Sequence, residues 1–106
     1  MAWLESVAKK PQGKCVAALT RLEEFGHELR RPEADYLRDD IHELRVRFQS
    51  VHYRMLYFFH GRTIAVVSHG CTKERVVPKR EIDAAIKRKK RFAKEPKKHS
   101  ERFTKD

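Results

Sequence analysis

One stretch of this chain sets charged residues at spacings that suit work on a phosphate. Glu43, Arg45 and Arg47 fall on alternate positions, Arg54 interrupts Tyr53-Arg54-Met55-Leu56-Tyr57-Phe58-Phe59, and His69 stands just ahead of Lys73-Glu74-Arg75. Arginine forks bind phosphate bidentately, and a neighbouring Tyr or Phe can stack a base. Gathered on one rigid support, such groups fit cleavage of RNA without a metal. The ribose 2′-OH attacks the adjacent phosphate, so RNA carries its own nucleophile. The protein must help remove that proton, stabilise the charge that builds on the phosphorane, and protonate the leaving 5′-oxygen. Fixed arginines serve the charge, and losing one such donor typically costs about 2.7–4 kcal/mol of barrier. His69 and Lys73 are the candidates by position for the proton transfers, with His52 in reserve.

Each of these residues also has a plainer reading. Arg45 and Arg47 fit a polar sheet face paired with Glu43 or Glu74. His69 fits a strand-end histidine bonded to backbone, and Tyr53 and Tyr57 fit core or edge packing. Arg54 is harder to explain away, because a long basic side chain inside an apolar, aromatic strand needs a partner or solvent.

The elements that would position these groups follow from periodicity. Trp3 to Lys9 reads as a short helix that Pro11 ends, since the residue before a proline is pushed out of the helical region. From about Gln12 to Phe25, Cys15, Ala18, Leu19, Leu22 and Phe25 recur at helical spacing, and Gly26 stands where a C-terminal cap belongs. The two form an N-terminal hairpin. Glu28 to Asp39 shows no period, and Pro32 marks it as a connection or a short edge. The period then drops to two: Leu44, Val46 and Phe48 share one face of a strand over 41–48, and Glu43, Arg45 and Arg47 the other. Gln49 to Val51 reads as a turn, Tyr53 to Phe59 as a second strand, His60-Gly61-Arg62 as a tight turn, and Thr63 to His69 as a third strand that Gly70 ends. Short connections make these three an antiparallel meander. Pro78 suits the first turn of a last helix, whose apolar stripe is Ile82, Ala85, Ile86 and Ala93. The domain is expected over 1–93, with a basic, flexible tail over 94–106.

The whole chain bounds the possibilities. It has 106 residues, 25 Lys plus Arg against 15 Asp plus Glu, and a net charge of +10. That length fits one domain. No stretch approaches the roughly 20 apolar residues of a membrane-spanning helix. The first residues carry Glu5 and lack a basic start followed by an apolar core, so a secretory signal is not expected. Cys15 and Cys71 suggest neither a disulfide framework nor a CxxC site, and a cytoplasmic chain with reduced thiols is the simplest reading. No His or Cys pair stands at zinc-finger spacing, so no metal and no cofactor are expected. Lys87 to Asp106 holds ten Lys or Arg and three acids, or +7, which leaves +3 for the preceding residues. Such a stretch fits either a solvated helix end or an arm with salt-sensitive, sequence-independent affinity for nucleic acid.

Taken in order, several runs resemble the phage-derived, HigB-like branch of the RelE/ParE toxin superfamily. They are Leu22-Glu23-Glu24-Phe25-Gly26, Leu29-Arg30-Arg31-Pro32, His42 to Phe48, Val51 to Phe59, Gly61, His69-Gly70-Cys71-Thr72-Lys73 and Pro78-Lys79-Arg80-Glu81-Ile82. Each motif is loose, but their order and spacing together are specific, and they span roughly Trp3 to Phe92. The resemblance implies an α+β, RelE-like fold: an N-terminal helical hairpin on a curved antiparallel sheet, a three-strand meander plus a possible edge strand, then a C-terminal helix. It also implies the toxin of a type II toxin–antitoxin pair that cuts mRNA in the ribosomal A site and is neutralised by a helix-turn-helix antitoxin. By position, Arg54 matches the family's phosphate-contacting arginine, and Lys73 and Arg75 match the basic loop after the meander. Arg45 and Arg47 match the basic side of the preceding strand, and Lys79 and Arg80 complete the expected RNA contacts.

The chain departs from the branch in places. Members usually begin with an edge strand, whereas Met1-Ala2-Trp3 opens within the first helix; Glu28 to Tyr36 or a partner chain would then supply that edge. Val77 replaces a common threonine, no tyrosine follows Tyr57 where RelE proteins have a catalytic one, and His42 and His52 occupy positions that are commonly aromatic. Two other classes stay open beside the nuclease. One is a degenerate toxin that only binds RNA or an antitoxin; the other is a ParE-like gyrase poison, against which Arg54 with Lys73 argues.

Overall fold

The computed structural model describes residues 2–61, 64–72 and 77–94. Helices α1 (Ala2–Ser6) and α2 (Lys9–Phe25) lead through a short 3-10 turn to four strands and a last helix. The strands are β1 (Ala34–Arg38), β2 (Ile41–Phe48), β3 (Val51–His60) and β4 (Ile64–Thr72), and the helix is α3 (Lys79–Lys94). They form one antiparallel sheet in the order β1-β2-β3-β4. The α+β architecture is the expected one, and no helix among the described residues is long and apolar enough to cross a membrane.

The alternation in β2 sorts the core into two layers. Leu44 and Val46, with Met55, Tyr57 and Ala34, pack against Cys15, Leu19 and Leu22 of α2. Ile41, Leu56, Phe58 and Val66 pack against Ile82, Ala85 and Phe92 of α3. Helices therefore lie on both faces, and α3 covers part of the face that carries Glu43, Arg45 and Arg54. Each fully buried Leu, Met or Phe contributes about 1.5–3 kcal/mol by leaving water.

Several boundaries differ from those read in the sequence. Pro11 does not end a helix; it sits in the first turn of α2, where a missing N–H forfeits no intrahelical bond. Gly26 does cap α2, with φ 52° and its N–H bonded to the Leu22 carbonyl. The edge of the sheet is Ala34–Arg38, which pairs with β2 through a two-residue turn. Asp39 and Asp40 hold positive φ (51° and 64°) there, as such tight hairpins demand. The β2–β3 turn is Gln49-Ser50 alone, so β3 already begins at Val51. Gly70 does not end β4 but lies within it, and glycine is required there because a Cβ would overlap the ring of Trp3 from α1. The stripe of α3 is completed by buried Phe92, while Ala93 is exposed. The tail beyond Lys94 lies outside the described residues.

Candidate nucleic-acid site

Register places the charged residues in rows across the sheet. Arg47 pairs with His52, Arg45 with Arg54, and Glu43 with Leu56 between β2 and β3. Across β3 and β4, Arg54 pairs with Cys71 and Leu56 with His69. Cross-strand partners share a face, so Glu43, Arg45, Arg47, His52, Arg54, His69 and Cys71 all lie on the α3 side.

Glu43 is the centre of this group. Its Oε1 lies 3.6 Å from Nη1 of Arg54 and 3.3 Å from Nε of Arg45. Arg54 and Glu43 are only 4% and 5% exposed, whereas Arg45 opens to solvent. A buried carboxylate thus joins a buried guanidinium to an exposed one, and the trio keeps a net positive charge when Glu43 is ionised. Burial pushes the Glu43 carboxyl above its ordinary value, and Arg54 and Arg45 pull against that shift. Beside it, Asp35 of β1 is paired with Arg31 at 2.9 Å, which holds its carboxyl below the usual range. Arg47 is exposed and donates Nε–H to the Gln49 carbonyl at 3.1 Å.

A bulge aims His69. Opposite Leu56 and Tyr57, β4 carries one extra residue, Ser68, between Val67 and His69. Strict alternation would put His69 and Val66 on opposite faces; the extra residue turns both toward α3. The Ser68 carbonyl at the bulge accepts a hydrogen bond from Arg88. The imidazole is engaged at both nitrogens: Nδ1 lies 2.8 Å from Ser68 Oγ, and Nε2 lies 2.9 Å from Oε1 of Glu81 in the first turn of α3. Burial lowers the His69 pKa, with Glu81 opposing the shift and Arg88 adding to it. The neutral ring ties β4 to α3, and proton transfer to an outside group would require it to release one of these two bonds.

Lys79 and Arg80 lie exposed in that same first turn, with Arg80 Nε 3.7 Å from Glu81 Oε2. Lys73, Glu74 and Arg75 lie outside the described residues. The structure therefore gathers Arg45, Arg47, Arg54 and His69 on one face, with Lys79 and Arg80 at the end of α3 that meets His69. The role of Glu43 as the link between two arginines, and that of Glu81 as the partner of His69, were not read from the sequence. The first was within reach. A two-residue turn at Gln49-Ser50 fixes Arg45 opposite Arg54, and so Glu43 diagonal to Arg54; extending the turn to Val51 obscured that register.

The chain matches the model of the phage-derived Gp49-like protein family (DUF891) over residues 2–90. No curated protein and no solved structure matches it. A four-strand antiparallel sheet flanked by an N-terminal and a C-terminal helix agrees with a RelE-like fold. The chain belongs to the phage-derived Gp49-like family, a family of toxin–antitoxin toxins.

Proposed function

We propose that this toxin is a ribosome-dependent mRNA endonuclease of the HigB type, acting in the cytoplasm and held in check by a helix-turn-helix antitoxin. The observation that supports it most is the Arg54–Glu43–Arg45 linkage. Arg45 and Arg47 receive the RNA backbone from solvent. Arg54, fixed behind Arg45, supplies positive charge from a low-dielectric site, where it acts on the developing phosphorane more strongly than an exposed cation would. Lys73 is the proposed proton-transfer group, and Arg75, Lys79 and Arg80 extend the RNA contacts. His69 pins the first turn of α3 through Glu81, and exchanges a proton with RNA only after releasing Ser68 or Glu81.

That engaged imidazole also favours one rival, a degenerate toxin that binds RNA without cutting it. Expression in bacteria separates the two. Arg45→Ala, at an exposed position, leaves the fold intact. Growth arrest with codon-phased mRNA breaks in the wild type, both weakened in this variant, supports the nuclease. A folded wild-type protein that neither arrests growth nor produces breaks supports the binding module.

A further inference from the structure

The C-terminal half of helix α3 carries five consecutive cations, Lys87 to Arg91, and one more at Lys94. Among the described residues the fold engages only two of them. Arg88 donates to the Ser68 carbonyl, and Lys89 Nζ lies 3.1 Å from Oδ2 of Asp40. Lys87, Lys90, Arg91 and Lys94 are all exposed. None of them has a carboxylate within ion-pair distance among the described residues.

Their spacing is i, i+3, i+4 and i+7, which aligns them along one side of the helix for about 10 Å. Like charges at such spacing destabilise a helix by about 0.2–0.5 kcal/mol per pair. The helix dipole offsets part of this repulsion toward the C-terminus, and a polyanion bound along the stripe would remove it.

We propose that Lys87, Lys90, Arg91 and Lys94 dock the phosphate backbone of double-helical RNA, at a surface separate from the Arg54 site. The reading as an RNA-directed toxin selects RNA over DNA here, and the stripe adds to it a structured-RNA anchor distinct from the strand that is cut. The only aromatic residue of α3, Phe92, is buried against Phe58, so the stripe offers no aromatic platform on which a single strand could stack its bases. The apolar side of the helix, Ile82, Ala85 and Phe92, is likewise spent on the sheet, which leaves nothing to insert into a lipid surface.

The test compares the full chain with a variant carrying Lys87→Gln, Lys90→Gln, Arg91→Gln and Lys94→Gln. Gln has a helix propensity close to that of Lys and Arg, so the helix is retained. Binding to a fluorescent RNA duplex is titrated from about 50 to 200 mM salt, with a single strand, a DNA duplex and anionic phospholipid vesicles as parallel probes. The expected result is about tenfold or greater loss of duplex affinity at the lowest salt. The slope of log affinity against log salt should become shallower by about 3, with thermal stability little changed. An unchanged slope overturns the proposal, as does tighter binding to the single strand, to DNA or to vesicles. The readout involves no cleavage, so duplex binding through the stripe stands even if the protein cuts nothing. Conversely, cleavage with an unaltered salt slope sinks the stripe alone.

Discussion

On one face of the sheet, Leu44, Val46, Met55 and Tyr57 are sealed beneath α2; on the other, the same two strands hold Glu43, Arg45, Arg47 and Arg54. The first face is completed by packing alone. Its polar insertion, His42, is met by the rings of Tyr57, Tyr36 and Phe59, with the Tyr57 ring stacked at 5.1 Å. The second face is apolar mainly where α3 covers it, and beyond that cover β2 and β3 present Arg45, Arg47, His52 and Arg54, with Glu43 buried beside them. Alternation gave both faces the same backbone; what differs is whether a helix offers an apolar partner. Where none does, charge has been built in and linked through Glu43, as expected of a surface that meets an anion.

Substitutions that remove equal stability from the two faces break this comparison most strongly. Arg54→Ala leaves Glu43 buried without its buried cation and should destabilise by about 3 kcal/mol or more. Leu44→Ala, fully buried on the opposite face, should cost a comparable 2–5 kcal/mol or so through the cavity it leaves. Denaturant unfolding checks both. In the proposed mechanism only Arg54→Ala also lowers cleavage per folded molecule, by about 10²- to 10³-fold. Equal cleavage by the two folded variants would remove the distinction between the faces.

Gly70→Ala tests the sealed face from within β4. The new methyl would overlap Trp3 of α1, and overpacking of this kind costs about 1–3 kcal/mol. Thermal melts should show the loss, and Trp3→Ala combined with Gly70→Ala should cost less than the sum of the two single changes.

The smallest effect compares one half-buried histidine from each face. Burial is the main cause that lowers both His42 and His69 below their ordinary value of 6.5. The unfolded chain therefore binds more protons than the folded one as the pH falls below about 6.5, and stability drops there until the folded-state groups also protonate. His42→Phe and His69→Gln should each flatten the fall in melting temperature between pH 7.5 and 5.5. Glu81→Gln should steepen the share due to His69, because it removes the carboxylate that favours the charged ring.

Much of this contrast was legible in the chain. A period of two over 41–48 marks both faces of β2, and the oddity of Arg54 among aromatics marks the position on which the proposed site is centred. Other features needed the structure. The edge strand at Ala34–Arg38 lies after Pro32 in a segment whose exposed and half-buried residues follow no clear alternation. The Ser68 bulge inverts the parity of β4, so no count along the sequence could place His69 on the face of Arg54. Gly70 reads as a strand breaker because the reason for it, the Trp3 ring, belongs to a helix far away in sequence. Glu81 reads as an ordinary acid in the first turn of a helix, where the dipole favours it, until His69 is found opposite.

The most direct measurement maps the 5′ ends of translated messages in cells expressing the wild type, Arg45→Ala or Leu44→Ala at equal levels of folded protein. Codon-phased ends in the wild type and Leu44→Ala, reduced at least tenfold or so in Arg45→Ala, are the result expected of a charged face that works on RNA. Ends of equal abundance in all three, or none in any with folded protein present, would contradict it.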